Sequence, residues 1–135
     1  MDGFININKD SGPSSHWVVA QLKRLLGEKI GHCGTLDPMA RGVLPICVGK
    51  ATRLAEYVMG RKKTYIAGIR FGMTTDSYDA QGMVTATADP SGVTHEAVSA
   101  LLPHFCGEVL QTPPPVSALK QGGEPLYKKV LRGES

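Results

Sequence analysis

The sequence predicts an α+β fold in which hairpin-linked strands are flanked by helices. Three observations carry that expectation. Segments such as "GFININKD" and "TYIAGIRFG" have the period of two that marks half-buried strands. The stretch "SHWVVAQLKRLLG" places apolar residues at helical spacing and ends on a glycine. The links between strand-like segments are polar turns, not the helical crossovers of regular βαβ units.

In the first segment Phe4, Ile5 and Ile7 alternate with polar residues, and the turn "DSGP" ends it. Ser14 or Ser15 then supplies the N-cap of a helix with Val18, Leu22, Leu25 and Leu26 on its apolar side. Lys23 and Arg24 lie opposite, and Gly27 is the stop. The glycine-rich stretch "GHCGTLDPMARG" reads as a loop, "VLPICVG" as a brief buried strand and "KATRLAEYVMG" as a second helix ended by Gly60. "TYIAGIRFG" reads as a strand with one buried face. "MVTATAD" is its expected antiparallel mate, joined through the polar loop "MTTDSYDAQG". "THEAVSALLPHFCG" reads as a third helix, capped by Thr94, with Glu96 in the first turn where the dipole favours an acid. Pro103 ends or kinks it. "EVLQT" is expected as a last strand before a tail punctuated by Pro and Gly.

A chain of 135 residues suffices for one compact domain, and 41% apolar with 20% charged residues is the balance of a globular protein. No apolar run approaches a membrane span, and "MDGFININKD" lacks the order of a signal peptide. A cytoplasmic location and no membrane partner are therefore expected. The three cysteines, Cys33, Cys47 and Cys106, form no CxxC pair, which suits reduced thiols better than a disulfide framework or a zinc site. A net charge of +3 permits a polyanionic partner without demanding one.

Several chemistries fall away on spacing. "VGKATR" ends like a phosphate loop, but its glycines are misplaced and Ala51 stands where the magnesium-binding hydroxyl belongs. No GxGxxG follows a strand, and no GxSxG elbow exists. Neither His32 with Cys33 nor His104 with Cys106 has metal-ligand spacing. No cofactor and no metal are expected. Two features remain. Asp37 sits between Leu36 and Pro38 in a glycine-rich setting, and Arg61, Lys62 and Lys63 immediately precede Tyr65. Cations that neutralise phosphates beside a ring that stacks a base suit a flipped-out nucleotide. Each feature alone has an ordinary reading: a turn aspartate, a solvated lysine turn, a half-buried strand tyrosine. Composition and pattern reach a soluble domain of mixed helices and strands compatible with RNA binding.

Four motifs in order carry a more specific resemblance. "GHCGTLDPMARGVLPICVGKATRLAEYV" is similar to the aspartate-bearing signature of the TruB family, tRNA pseudouridine synthases that modify the T-loop uridine. "KDSGPSSHWVVAQLKRLL" resembles that family's first motif. "KKTYIAGIRFGMTTDSYDAQG" resembles its Lys-x-Tyr strand and the loop after it. "QTPPPVSALKQGGEPLYKKVLRGE" resembles its Pro-rich Ser-Ala-x-Lys segment. The resemblance implies a pseudouridine synthase-like, mixed and mostly antiparallel sheet flanked by helices. It implies isomerisation of uridine without a cofactor, with tRNA (the T stem-loop) as partner and no obligate protein partner. Asp37 corresponds to the catalytic aspartate, as nucleophile or as a base acting on the sugar. The glycines let backbone approach the RNA, Pro38 limits loop flexibility, and Leu36 is expected to shield the acid from water. Tyr65 corresponds to the base-stacking ring, His32 to the histidine at the flipped nucleotide, and Asp76 to the Thr-Asp of the substrate-side loop. Lys9, Lys62 and Lys63 are candidate phosphate or site-organising contacts.

The chain departs from the family pattern in two respects. Asp10 follows Lys9 where the family usually has proline. Family members also continue through an Arg-bearing strand motif, whose Arg pairs with the aspartate, and a small C-terminal RNA-binding domain. Neither follows Ser135. The expectation is the N-terminal part of a catalytic domain, with a sheet incomplete at its C-terminal end and an edge prone to self-association. Activity of this chain by itself is left open, with Arg41 or Arg53 as possible replacements for the later arginine. Two other readings stay open. One is the guide-RNA-dependent branch of the superfamily, which "PSSH" and "GTLDP" also resemble. The other is a non-catalytic RNA-binding or tRNA-folding module.

Overall fold

A computed structural model describes residues 1–112, 120–121 and 124–125. It divides into two units, Met1–Ile66 and the residues from Ala67 onward, each with its own architecture.

The first unit is a three-stranded antiparallel sheet of β1 (Gly3–Lys9), β2 (Ile30–His32) and β3 (Gly42–Val48), in the order β1-β3-β2. Gly3 lies opposite Val48 and Lys9 opposite Gly42, while Ile30 and His32 face Val48 and Ile46. With β3 central, its alternate residues fill two cores. Leu44, Ile46 and Val48 pack with Val18 of helix α1 (Ser15–Leu26), and Ile5, Ile7, Val19, Leu22, Ile30 and Leu36 lie around them. Cys47 points the other way and packs with Cys33, Ala51, Ala55 and Val58. The expected brief strand is thus the sheet's centre, and β2 takes in Gly31 and His32, both expected as loop.

Helix α1 follows its sequence closely at both ends. Ser14 Oγ accepts from Trp17 N–H at 3.1 Å, and Gly27 takes the left-handed conformation (φ +66°) that lets its N–H reach Lys23 O. Its inward side differs from the expected one. Ser15 and Val18 are buried, whereas Leu25 is 79% exposed. After β3 the chain makes a 3₁₀ turn over Gly49–Leu54 before helix α2 (Ala55–Met59). The Thr52 hydroxyl donates to Gly49 O at 2.8 Å, a local bond that favours the tighter turn.

The second unit corrects several expectations. Residues 64–71 form no strand, although the alternation in "TYIAGIRFG" is real. A strand needs a neighbour to complete its ladder, and none of the described residues pairs with this segment. Instead β4 (Met73–Thr75) pairs with β5 (Val84–Thr87), so the mate of "MVTATAD" lies within the expected loop. Thr74 and Thr85 join hydroxyls across the pair at 3.1 Å, the kind of contact that rewards β-branched neighbours. Helix α3 (His95–Leu101) is capped by Thr94 as expected, and Pro103 converts its continuation into a 3₁₀ turn, Leu102–Phe105. Glu108–Thr112 is not a strand. β6 (Lys120–Gln121) and β7 (Glu124–Pro125) form a two-residue pair. Most of the expected Pro-rich motif lies outside the described residues.

The inward-facing thiols give the first unit a measurable pH signature. Cys33 and Cys47 are buried with their sulfurs hydrogen-bonded at 2.9 Å. Burial, reinforced by the bond to Cys33, pushes the Cys47 thiol from 9.0 up to about 12. The folded chain therefore holds a proton that the unfolded chain releases above pH 9.0, so stability is intact below that pH and falls as pH rises toward about 12. Urea unfolding from about pH 8 to about pH 11 should show a declining midpoint, and Cys47→Ala should make that decline shallower. An equal slope in the variant would contradict the packing of Cys47. Iodoacetamide should label exposed Cys106 in the native chain and reach the buried pair only on unfolding.

Candidate active site

The loop from Cys33 to Arg41 leaves β2 and returns through β3. Gly34 turns it with φ +138°, a conformation that L side chains rarely adopt. Asp37 heads a turn closed by Ala40 N–H on Asp37 O at 3.0 Å. Aspartate at the first position and proline at the second are what such a turn favours.

The β1–α1 connection holds this turn from beneath. Lys9 is only 1% exposed, and its Nζ donates to the carbonyls of Asp10 (2.9 Å), Pro13 (2.8 Å) and Pro38 (3.2 Å). Gly12 N–H donates to the same Pro38 oxygen at 2.7 Å, and Ser11 Oγ donates to Met39 O at 3.0 Å. Ser15 Oγ donates to Leu36 O at 2.8 Å and accepts from Leu36 N–H at 2.9 Å. The backbone on both sides of Asp37 is thereby fixed. The carboxylate itself is exposed. Leu36 does not shield it, because its side chain packs into the core around Leu44 and Ile46.

Lys9 is therefore a site-organising residue in this structure, and its burial removes it from contact with an external phosphate. Lys63 is exposed, yet its Nζ donates to Met59 O and to Arg61 O (3.0 Å), the carbonyls at the end of α2. Its Cε lies 3.4 Å from where a Cβ on Gly34 would sit, so the lysine stem runs past the aspartate loop. Lys62 and Arg61 are exposed, and Tyr65 stands 63% exposed on the segment that follows them. His32 occupies β2 opposite Ile46, and its buried Nδ1 has no hydrogen-bond partner among the described residues. Arg41 and Arg53 are exposed, and no cation among the described residues forms an ion pair with Asp37.

Asp76 belongs to the second unit, where it closes the β4–β5 loop. Its carboxylate accepts from Met83 N–H at 2.8 Å, and its own N–H donates to Met83 O at 3.1 Å. Within the loop Asp79 accepts from Ser77 Oγ (2.6 Å) and Gln81 N–H (2.9 Å), which together hold its carboxyl below the usual carboxylate range. The hydrogen bonds thus tie Lys9 to the Asp37 loop and Lys63 to the end of α2, while Asp76 serves its own hairpin. Among the described residues no group of His, Cys, Asp or Glu is arranged to hold a metal, and no helix is long and apolar enough to cross a membrane.

Residues 23–135 match the model of the TruB family pseudouridylate synthase N-terminal domain. The chain belongs to the TruB family. It is 51% identical over 134 residues to a tRNA pseudouridine synthase B of Symbiobacterium thermophilum, covering 98% of this chain and 45% of that protein. A protein of the same name in Synechococcus elongatus is 50% identical over 135 residues, covering 99% and 46%. The chain thus spans about half the length of the curated relatives it matches. Two solved structures are also similar. A Cbf5-Nop10-Gar1 complex gives 33% identity and a TM-score of 0.57 over 87% of this chain and 31% of that one. An archaeal box H/ACA Nop10-Cbf5 complex gives 32% and 0.54 over 81% and 30%. The Asp37 loop, whose backbone the β1–α1 connection holds, lies within the matched residues.

Ser15, Ser11 and Gly12 escaped the sequence reading as contacts of that loop. For Ser15 a signal existed: it falls three residues before Val18 and seven before Leu22, on the inward side of α1. Lys9 also had one, since Ile5, Ile7 and Lys9 share the inward face of β1. Replacing Lys9 by Met should cost about 2–4 kcal/mol of unfolding free energy in urea, because three carbonyls lose a charged donor. A lysine that served only to contact phosphate would leave the urea midpoint unchanged.

Proposed function

We propose that this chain is the N-terminal part of a tRNA pseudouridine synthase catalytic domain, isomerising a T-loop uridine with Asp37 as catalytic aspartate. One observation carries the reading: Asp37, the single acid between Gly31 and Pro45, stands exposed on a turn whose flanking backbone is held by Lys9, Gly12 and Ser15. A fixed backbone beneath a free carboxylate suits a group that must meet one sugar carbon.

The reaction balances within the substrate. The N1–C1′ bond breaks, the base turns, C5 bonds to C1′, and the proton on C5 is lost as one returns to N1. No electrons are gained or lost overall, so the chemistry calls for no redox cofactor. Asp37 acts on the sugar, as nucleophile at C1′ or as a base. Its exposure in the free chain means that the flipped nucleotide itself supplies the cover that excludes water. Tyr65 offers an open ring for that base to stack on, and His32 Nδ1 is a buried polar atom with no partner among the described residues. Arg61 and Lys62 suit phosphates. Lys63 shapes the loop through its stem, and Asp76 holds the substrate-side hairpin. In this reading tRNA is the partner, no protein subunit is required, and the site of action is the cytoplasm.

The guide-RNA-dependent branch is the second reading, favoured by the two Cbf5 structures at 32% and 33% identity. Identities of 51% and 50% to proteins named tRNA pseudouridine synthase B support the stand-alone form over it.

Tritium release from tRNA carrying 5-tritiated uridine tests the reading, because the label leaves C5 only when the new bond is complete. Release without added guide RNA is expected, and Asp37→Asn should abolish it while tRNA binding survives. Binding with no release from the wild type, alone or joined to a relative's C-terminal half, would leave an RNA-binding module. Affinity for tRNA should fall as salt rises, and Lys62→Ala should lower the log–log slope by about one. An unchanged slope would remove Lys62 from the phosphate contacts.

A further inference from the structure

Two adjacent serines open α1, and the structure gives them different partners. Ser14 is in extended backbone outside the helix, and its Oγ accepts from Trp17 N–H, one of the helix's own orphan donors. Ser15 is the first helical residue and is 2% exposed. A buried hydroxyl requires partners, and this one finds both away from its helix. It donates to Leu36 O at 2.8 Å and accepts from Leu36 N–H at 2.9 Å, 21 positions along the chain.

One hydroxyl therefore satisfies both backbone groups of Leu36, as a neighbouring strand would. The Leu36 carbonyl belongs to the peptide that leads into Asp37, so holding it orients that peptide plane. On the far side the Pro38 carbonyl is held by Gly12 N–H and Lys9 Nζ. Asp37 sits between two anchored points, and its side-chain torsions are its main remaining freedom. The Leu36 side chain adds a third restraint by packing in the core.

We propose that Ser15 is a positioning residue for Asp37, fixing the direction from which the carboxylate reaches the sugar. This rests on the reading of Asp37 as the reacting acid. Displacement of a reacting group by about 1 Å costs on the order of a hundredfold in rate, so Ser15→Ala should lower kcat about 10- to 100-fold with KM changed less than about twofold. Ser15→Cys, close in volume but a weak hydrogen-bonder, should behave similarly if the alanine variant folds poorly. Ser15→Thr, which keeps the hydroxyl, should recover most of the rate. Ser14→Ala removes only the helix cap, so it should lower the urea midpoint and leave kcat near wild type.

Kinetics would be run by tritium release on the full chain, with Asp37→Asn alongside. Amide hydrogen exchange at Leu36 would be compared in the same proteins, a readout independent of turnover. It should quicken about tenfold or more in Ser15→Ala and stay unchanged in Ser14→Ala. Turnover surviving in Asp37→Asn would sink the reading of the acid, and the role of Ser15 with it. Loss in Asp37→Asn with wild-type kcat in Ser15→Ala and Ser15→Cys would overturn the positioning role alone. Unchanged exchange at Leu36 would do the same.

Discussion

The Lys9 ammonium is almost wholly buried at the base of the candidate site, donating to three main-chain carbonyls from two separate stretches of chain. Burying a charge is costly unless its hydrogen bonds are replaced, and three carbonyls are the full complement for an ammonium. Two of them, Asp10 and Pro13, shape the β1–α1 turn, and the third belongs to Pro38 beside the candidate catalytic acid. One cation thereby makes the conformations of two loops depend on each other. Ser11 and Gly12 reach Met39 and Pro38 from the turn that Lys9 holds, and Ser15 begins the helix that follows it. Without the ammonium, each of those bonds would have to order the turn by itself.

This arrangement divides the labour between backbone and side chain. Almost every restraint on the Asp37 loop ends on a carbonyl or an amide, and the carboxylate is left out of the network. A carboxylate that accepted two or three backbone bonds would be stabilised as the anion and less ready to attack or to take a proton. Asp79 illustrates the alternative in the same chain. Its carboxyl is consumed by Ser77 and Gln81, its pKa is lowered, and its role is to hold a turn. Asp76 is likewise committed, to Met83. Of these three acids on tight turns, Asp37 is the one whose surroundings organise it without occupying it.

Much of the local structure was legible in the residues. Alternation gave β1, the Ser14 and Gly27 signals gave both ends of α1, and Thr94 with Pro103 bounded α3. These features depend on interactions within a few residues, which sequence carries directly. What depended on distant partners was misread. "TYIAGIRFG" has a strand's alternation, but alternation cannot supply the neighbour that a ladder requires. "MTTD" looked like loop because polar threonines hide a strand stabilised by its cross-strand mate.

The same distinction explains the two lysines. Read as charges in a linear sequence, Lys9 and Lys63 were equally suited to phosphate, and the resemblance to the TruB motifs could not separate structural from external contacts. The strand period already placed Lys9 on the face of Ile5 and Ile7, where a cation must find internal acceptors. Lys63 follows a helix end, where unpaired carbonyls attract an ammonium. In both cases the deciding partner is a backbone carbonyl, a group that every residue carries and that no motif can spell. A sequence announces its side chains, so a loop held together through main-chain oxygens shows its candidate acid plainly and conceals what fixes the backbone around it.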